Sequence, residues 1–195
     1  MSTHPMPLVS RSLWPMRLMR LAQSLPGARF WAAGLACTAL LASASASAAS
    51  APPAPAARYV TIGARTLSTA QLKGHRTLLW LLSTWCGSCA AGLQTLASDS
   101  GELAKAGLHV VVLRNYRNGG YPGPNIRSFV EHFAPALLTQ RNWTFGQASL
   151  GLDQAYNGRH YPDIYFLIDA SGHIRAINSA PSATLDRILR FAQGG

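Results

Sequence analysis

Two cysteines separated by two residues, Cys86 and Cys89, are the side chains of this 195-residue chain best placed by type and spacing to do chemistry. The apolar run before them, residues 78–82, is typical of a buried strand in a sheet covered on both faces. The residues after them predict a helix over about 89–106, broken or bent around residues 98–101. Cys86 should therefore stand at a helix N-terminus, where unpaired N–H groups and the helix dipole stabilise a thiolate.

Cys89 lies about one helical turn beyond Cys86, so its sulfur can reach the first one. A dithiol that alternates with a disulfide needs this arrangement of one reactive sulfur and one sheltered, resolving sulfur. Two cysteines this close in sequence close a very small loop and would stabilise a fold little. A zinc site would need two further ligands, and no second cysteine pair or H-x-x-x-H follows. The pair therefore predicts redox chemistry.

The first part of the chain has the order of a secretory signal peptide. Residues 1–48 contain four arginines, an apolar stretch and a small-residue end with A-x-A sites. Residues 49–57 are rich in alanine and proline and predict an extended linker, so the folded domain should occupy residues 58–195. Two alternatives for the leader stay open, namely a retained membrane anchor and lipidation at Cys37.

The charge distribution does not favour a nucleic-acid surface. Four of the 17 basic residues lie in the leader, whereas all seven acidic residues lie after it. The remaining basic residues are scattered through loops and ends, with no run of them interleaved with aromatic residues. We therefore expect no nucleic-acid partner.

The periodicity of the domain predicts an α/β fold with a mixed central sheet of four or five strands and helices on both faces. Strands near 77–83 and 108–113, joined by the active-site helix, form a β-α-β unit with a parallel pair. A hairpin over 58–67 precedes this unit, and a second hairpin, with its turn at 169–173, follows it. The other predicted segments are helices over 125–133, 147–157 and 182–192.

Two motifs together resemble the thioredoxin superfamily, and within it the exported TlpA/ResA/DsbE-like thiol-disulfide oxidoreductases. The first is Trp-Cys-Gly-Ser-Cys at 85–89. The second is Tyr-Pro-Asp-Ile-Tyr-Phe-Leu-Ile-Asp at 161–169, followed by Ser-Gly-His-Ile at 171–174. The resemblance covers about residues 58–192. It implies a thioredoxin-like fold with an N-terminal hairpin and an insertion before the strand that follows a cis-proline.

The resemblance also implies roles for individual residues. Cys86 and Cys89 would be the catalytic pair, and Pro162 would be the cis-proline whose loop packs against both sulfurs. A cis X-Pro turn would expose the backbone of Tyr161 to a substrate chain, so Trp85, Tyr161 and Pro162 are the expected substrate contacts. His160 is the candidate modulator of the Cys86 thiolate, because a nearby imidazolium would favour the charged sulfur.

The sequence departs from the family pattern beneath the cysteines. Members of the family often place a carboxylate six residues before the first cysteine or six after it, and here those positions hold Trp80 and Gly92. No proton acceptor for Cys89 is therefore predicted, and water or a histidine would have to serve. Ser88 replaces the proline common between the cysteines, which frees a backbone N–H near Cys86.

The resemblance implies a periplasmic enzyme that exchanges disulfides with protein thiols as a specific reductant, in cytochrome c maturation or metal-site assembly. A membrane electron donor would supply its electrons, and no organic cofactor or metal is expected. Three alternatives remain open: a thiol oxidase or isomerase, a Cu(I)-carrying module that uses the same dithiol, and an adhesion or scaffold module that does no chemistry.

Overall fold

The computed structural model describes residues 51–195, which form an α/β unit of seven strands and five helices. The strands are β1 (Arg58–Thr61), β2 (Thr66–Ser68), β3 (Thr77–Leu82), β4 (His109–Arg114), β5 (Trp143–Ala148), β6 (Asp163–Ile168) and β7 (Ile174–Asn178). The helices are α1 (Gly87–Ser98), α2 (Ser100–Lys105), α3 (Ile126–Phe133), α4 (Leu150–Asn157) and α5 (Leu185–Gln193). Predicted leader residues 1–48 lie outside the described residues.

All seven strands belong to one mixed sheet, in the order β2-β1-β5-β4-β3-β6-β7. β3 lies between β4, to which it is parallel, and β6, to which it is antiparallel. The predicted mixed sheet is confirmed, but the expected four or five strands were too few. The N-terminal hairpin joins the sheet through β5, and β5 itself is a half-polar strand that apolar periodicity does not reveal.

The sheet separates two apolar layers, because alternate side chains of a strand point to opposite faces. All six residues of β3 are buried. Leu78, Trp80 and Leu82 pack with residues of α1, α3 and α5, whereas Leu79 and Leu81 pack with residues of α4 on the other face. The indole of Trp80 therefore lies in the same layer as α1, the helix that carries the cysteines.

The active-site helix begins at Gly87, two residues before the predicted start, with Cys86 at its N-cap position. It ends at Ser98, and α2 continues from Ser100, so the predicted interruption near residues 98–101 is confirmed. Between β4 and β6 the chain forms α3, β5 and α4, which is the expected insertion. No helix within residues 51–195 is long and apolar enough to cross a membrane.

The alanine- and proline-rich segment before β1 is bonded to the domain. The Pro52 carbonyl accepts a hydrogen bond from the Ile174 N–H, and the Ala54 N–H donates to the Gly172 carbonyl. The Pro55 carbonyl accepts a hydrogen bond from the buried Tyr156 hydroxyl at 2.6 Å. The contacts of the folded unit therefore extend N-terminally from the predicted boundary at residue 58 to at least Pro52.

Gly146 in β5 gives a test of the sheet. A Cβ at this position would lie 2.5 Å from the carbonyl oxygen of Val60 in the neighbouring β1, so Gly146→Ala must push the two backbones apart. We expect a loss of about 2 kcal/mol in the free energy of unfolding, measured by urea denaturation. The matched control is Gly151→Ala in α4, where the nearest atom is 4.0 Å away and stability should stay equal or rise slightly. Equal stability of both variants would contradict this register.

Candidate active site

The two cysteines stand where β3 passes into α1, and both are free thiols. Cys86 caps the helix and is 9% exposed, whereas Cys89 is completely buried. The Cys89 thiol donates to the carbonyl of Pro162 at 3.3 Å. The same carbonyl accepts the backbone N–H of Ser83 at 2.8 Å. The predicted pairing of a more accessible sulfur with a sheltered one is therefore present, although Cys86 is nearly buried.

A buried carboxylate, Asp163, is the third group at the site. One of its oxygens and the two sulfurs all lie within 4.8 Å of one another. Three donors point at it: the Trp80 indole N–H reaches Oδ1 at 2.8 Å, and the Ser88 hydroxyl and the Ala180 N–H reach Oδ2 at 3.0 and 3.2 Å. The expectation that no acid accompanies the cysteines is wrong, because pairing of β3 with β6 sets Asp163 opposite Leu82.

The two positions at which the resemblance would place an acid hold Trp80 and Gly92, and these two residues pack against each other. The Trp80 ring occupies the space under α1, and a Cβ at Gly92 would lie 3.0 Å from its Cη2 atom. A carboxylate side chain at position 92 would therefore require this indole to shift. The one sequence signal for Asp163 was an acidic residue directly after Pro162, at the start of an otherwise apolar strand.

Burial raises the pKa of the Cys89 thiol far above its ordinary value, and the negative charge of Asp163 adds to the effect. Cys89 is therefore a thiol, and not a thiolate, at neutral pH. Its attack on a disulfide requires that the proton leave during the reaction, because the thiolate is the nucleophile.

Ser88 links the carboxylate to the other cysteine. Its hydroxyl donates to Asp163, and its oxygen lies 3.0 Å from the sulfur of Cys86. A serine hydroxyl carries one hydrogen, so when that hydrogen is given to Asp163 the Cys86 S–H must donate to the serine oxygen. Ser88 thus forms a hydrogen-bonded chain from Cys86 to Asp163.

Pro162 lies in the site but without the expected cis bond. Residues 51–195 contain no cis peptide bond, so the cis-proline prediction is wrong. The chain instead turns through His160, whose φ is +58°. Asn157 then holds Tyr161 at both backbone groups: its Oδ1 accepts the Tyr161 N–H and its Nδ2 donates to the Tyr161 carbonyl, each at 2.8 Å.

The occupied backbone of Tyr161 corrects the expected substrate contact. Asn115 Nδ2 also donates to the Tyr161 carbonyl, at 3.1 Å, so neither backbone group is free to pair with a substrate chain. The Tyr161 side chain, in contrast, is 45% exposed. It lines a cleft of about 230 Å³ together with Asp163, Ile164 and Ile177. Contact with a substrate is therefore open to the side chain of Tyr161.

Trp85 is 45% exposed directly before Cys86, and the loop after β4 fixes its orientation. Its indole N–H donates to the carbonyl of Asn118 at 2.9 Å, and its ring packs against Tyr121 with centroids 4.9 Å apart. The fully buried Asn118 side chain accepts the Thr84 N–H. The expected aromatic surface beside the thiols is thus present and held by a buried amide.

His160, the predicted modulator of Cys86, pairs with a different group. Its Nδ1 lies 3.5 Å from Oδ2 of Asp153, a buried carboxylate in α4. The imidazole is 70% exposed, and none of its bonds in the described structure reaches either cysteine. The positive φ of His160 directs the side chain toward α4, so the structure does not bring this residue to the site.

Cys86, Cys89 and Asp163 are also the side chains in residues 51–195 that lie close enough together to suggest a metal ion. Three hydrogen-bond donors already occupy the Asp163 oxygens and leave this carboxylate little capacity to bind one. Carboxylate oxygen is moreover a poor ligand for Cu(I), which prefers thiolates. The arrangement fits a proton-handling carboxylate better than a metal ligand.

Comparison with solved structures identifies the architecture. A thioredoxin-family thiol:disulfide interchange protein from Chlorobium tepidum is 24% identical, with 75% of this chain and 99% of that chain covered and a TM-score of 0.56. The chain has the thioredoxin fold. A secreted disulfide oxidoreductase from Mycobacterium tuberculosis is 19% identical over 69% of this chain and 92% of that one, with a TM-score of 0.51.

Copper-bound ScoI from Arabidopsis thaliana shares the thioredoxin fold at 12% identity, with 73% of this chain and 99% of that chain covered and a TM-score of 0.53. No protein-family model matches the sequence. No curated protein matches it either. The solved structures confirm the thioredoxin-like fold that the two sequence motifs predicted.

The raised pKa of Cys89 makes the stability of the reduced protein depend on pH. In the unfolded chain this thiol ionises above about pH 8.5, whereas in the folded protein it stays protonated. Alkaline pH therefore favours the unfolded state, and Cys89 should lower the free energy of unfolding by about 1.4 kcal/mol per pH unit above pH 8.5. Urea denaturation of the reduced protein between pH 7 and 10 measures this loss.

The matched control is Cys89→Ala, which keeps the other titrating groups of the chain. The difference in slope between the two proteins isolates the contribution of Cys89. Equal slopes above pH 8.5 would show that the thiol ionises in the folded protein as easily as in the unfolded chain.

Proposed function

We propose that this protein is an exported thiol-disulfide oxidoreductase that reduces disulfides of protein substrates through Cys86 and Cys89. The observation that carries the proposal is the site itself: two free thiols at the start of α1, of which one is 9% exposed and the other is completely buried near Asp163. Adhesion or scaffolding would need neither the free thiols nor the buried carboxylate.

The reaction has two steps. The thiolate of Cys86 attacks one sulfur of a substrate disulfide, a mixed disulfide forms, and the other substrate sulfur leaves with the electron pair. Cys89 then attacks the sulfur of Cys86, the bond from Cys86 to the substrate breaks, and the protein is left with a Cys86–Cys89 disulfide. Two electrons have passed from the protein to the substrate.

The helix N-terminus supports the first step. The backbone N–H groups of the first turn of α1 and the positive end of its dipole favour negative charge at the N-cap sulfur. The exposed rings of Trp85 and Tyr121 provide an apolar surface beside this sulfur. A substrate would bind through these side chains and that of Tyr161, because the Tyr161 backbone is already bonded to Asn157.

The compartment and the direction follow from the sequence and the resemblance. The signal-peptide pattern of residues 1–48 supports export, and a periplasmic location is the one we propose. A reductant in an oxidising compartment needs electrons from elsewhere, so a membrane protein is the proposed donor. Substrates of the cytochrome c maturation or metal-site assembly type suit this role.

Single-turnover trapping tests the proposal. Each protein is the full chain with Cys37→Ser, reduced, and mixed with an oxidised protein such as insulin. The parent should become oxidised while the substrate is reduced, whereas Cys89→Ser should accumulate a mixed disulfide, because Cys86 attacks but nothing resolves the intermediate. Mass spectrometry detects both products.

Cys86→Ser is the matched control and should form no mixed disulfide. Disulfide transfer that survives this change at the parent rate would contradict the role of Cys86. A dithiol that does not react with the substrate, and instead binds Cu(I) tightly when reduced, would favour the metal-carrying alternative over disulfide exchange.

A further inference from the structure

We propose that Asp163 accepts the proton of Cys89 when the mixed disulfide is resolved, and that the Ser88 hydroxyl couples this carboxylate to Cys86. This inference rests on the proposed disulfide exchange and adds the proton carrier that the family positions, Trp80 and Gly92, lack here. It also gives Ser88, at the second variable position between the cysteines, a direct part in the reaction.

The distances allow both roles. The Asp163 carboxylate lies within 4.8 Å of each sulfur, a separation that one hydroxyl group or water molecule bridges. Asp163 is 7% exposed and lines the cleft beside Tyr161 and Ile177, so a proton it has accepted can pass to solvent. The carboxylate is therefore both close to the thiols and connected to the surface.

The surroundings hold the carboxylate in place. Trp80, in β3, donates a hydrogen bond to Oδ1. Ser88, in α1, and the backbone of Ala180, in the loop after β7, donate to Oδ2. The Trp80 ring fits because position 92 in α1 has no side chain. Donors from three separate elements thus converge on one acid beneath the cysteines, which is the arrangement expected of a preorganised reactive group.

The proton balance of the resolving step is complete. Before the step, Cys89 is a thiol and Cys86 is bonded to the substrate sulfur. As the Cys89 sulfur forms its bond with Cys86, its proton passes to Asp163 and the substrate sulfur leaves with the electron pair of the broken bond. Asp163 then releases the proton to solvent through the cleft. The substrate disulfide is the oxidant, and no further reactant is needed.

Ser88 gives the carboxylate an opposite effect on Cys86. While the serine hydroxyl donates to Asp163, its oxygen is left as an acceptor for the S–H of Cys86. The negative charge of Asp163 also opposes a second negative charge on the Cys86 sulfur. Removing the carboxylate charge should therefore ease the attack by Cys86 while it slows the attack by Cys89.

The other titratable group that faces Asp163 is the phenol of Tyr165, also on β6, which in turn lies near Arg187 of α5. Burial raises the pKa of Tyr165, so this phenol stays neutral between pH 5 and 9. Tyr165 therefore adds no charge change beside Asp163 over this range.

Stopped-flow reaction of the reduced full chain carrying Cys37→Ser with 5,5′-dithiobis(2-nitrobenzoate) separates the two steps. The first equivalent of coloured thiolate reports attack by Cys86, and the second reports resolution by Cys89. In Asp163→Asn we expect the second phase to slow about 100-fold at pH 7. The pH profile of the first phase should move to lower pH, because a nearby negative charge has been removed.

Two further variants complete the design. Ser88→Ala, at an exposed position, should shift the pH profile of the first phase while the second-phase rate stays within about threefold of the parent. Asp186→Asn removes the same charge from the exposed face of α5 and should change neither phase. Circular dichroism checks that each variant is folded. If Asp163→Asn does not fold, Ser88→Ala still tests the coupling between the carboxylate and Cys86.

The proposal is overturned if Asp163→Asn resolves the mixed disulfide at the parent rate. It is also overturned if both phases slow by the same factor with no shift in pH, which would mark a purely structural role. An unshifted first-phase profile in Ser88→Ala would refute the coupling through Ser88. Failure of the proposed function would look different, because the parent itself would then leave protein disulfides unreduced.

Discussion

The hydrogen bond from the Trp80 indole to the buried Asp163 carboxylate is the interaction on which the site depends. A buried charge without partners would cost several kcal/mol, and this one is held by donors from β3, α1 and the loop after β7. The same bond explains the sequence around it. Tryptophan at position 80 fills the layer beneath α1, and the absence of a side chain at Gly92 leaves room for its ring.

A second set of buried amides fixes the surface above the sulfurs. Asn115 and Asn157 bind the Tyr161 backbone, and Asn118 binds the backbone before Cys86 and orients Trp85. Buried polar groups of this kind are stabilising only when fully bonded, so they impose one loop arrangement. As a result, the surface offers fixed aromatic side chains to a substrate, and not a free backbone edge.

The sequence predicted the local features well, because short-range patterns determine them. The Cys-Gly-Ser-Cys turn into a helix, the interruption near Ser98 and the hairpin after Pro162 could all be identified from adjacent residues. Asp163 could not, because its place beneath the cysteines results from the pairing of β3 with β6, 80 residues apart in sequence. The addition of the N-terminal hairpin to a seven-stranded sheet likewise depends on long-range packing.

The measurement that tests the central claim most directly is the equilibrium reduction potential of the Cys86–Cys89 pair. It would be determined on the full chain with Cys37→Ser in dithiothreitol and glutathione buffers. Burial raises the pKa of the Cys89 thiol, so no thiolate at this position stabilises the reduced form. A reductant of the proposed kind should have a potential near that of thioredoxin, about −270 mV. A value near −120 mV would make the protein a disulfide donor and contradict the proposed direction.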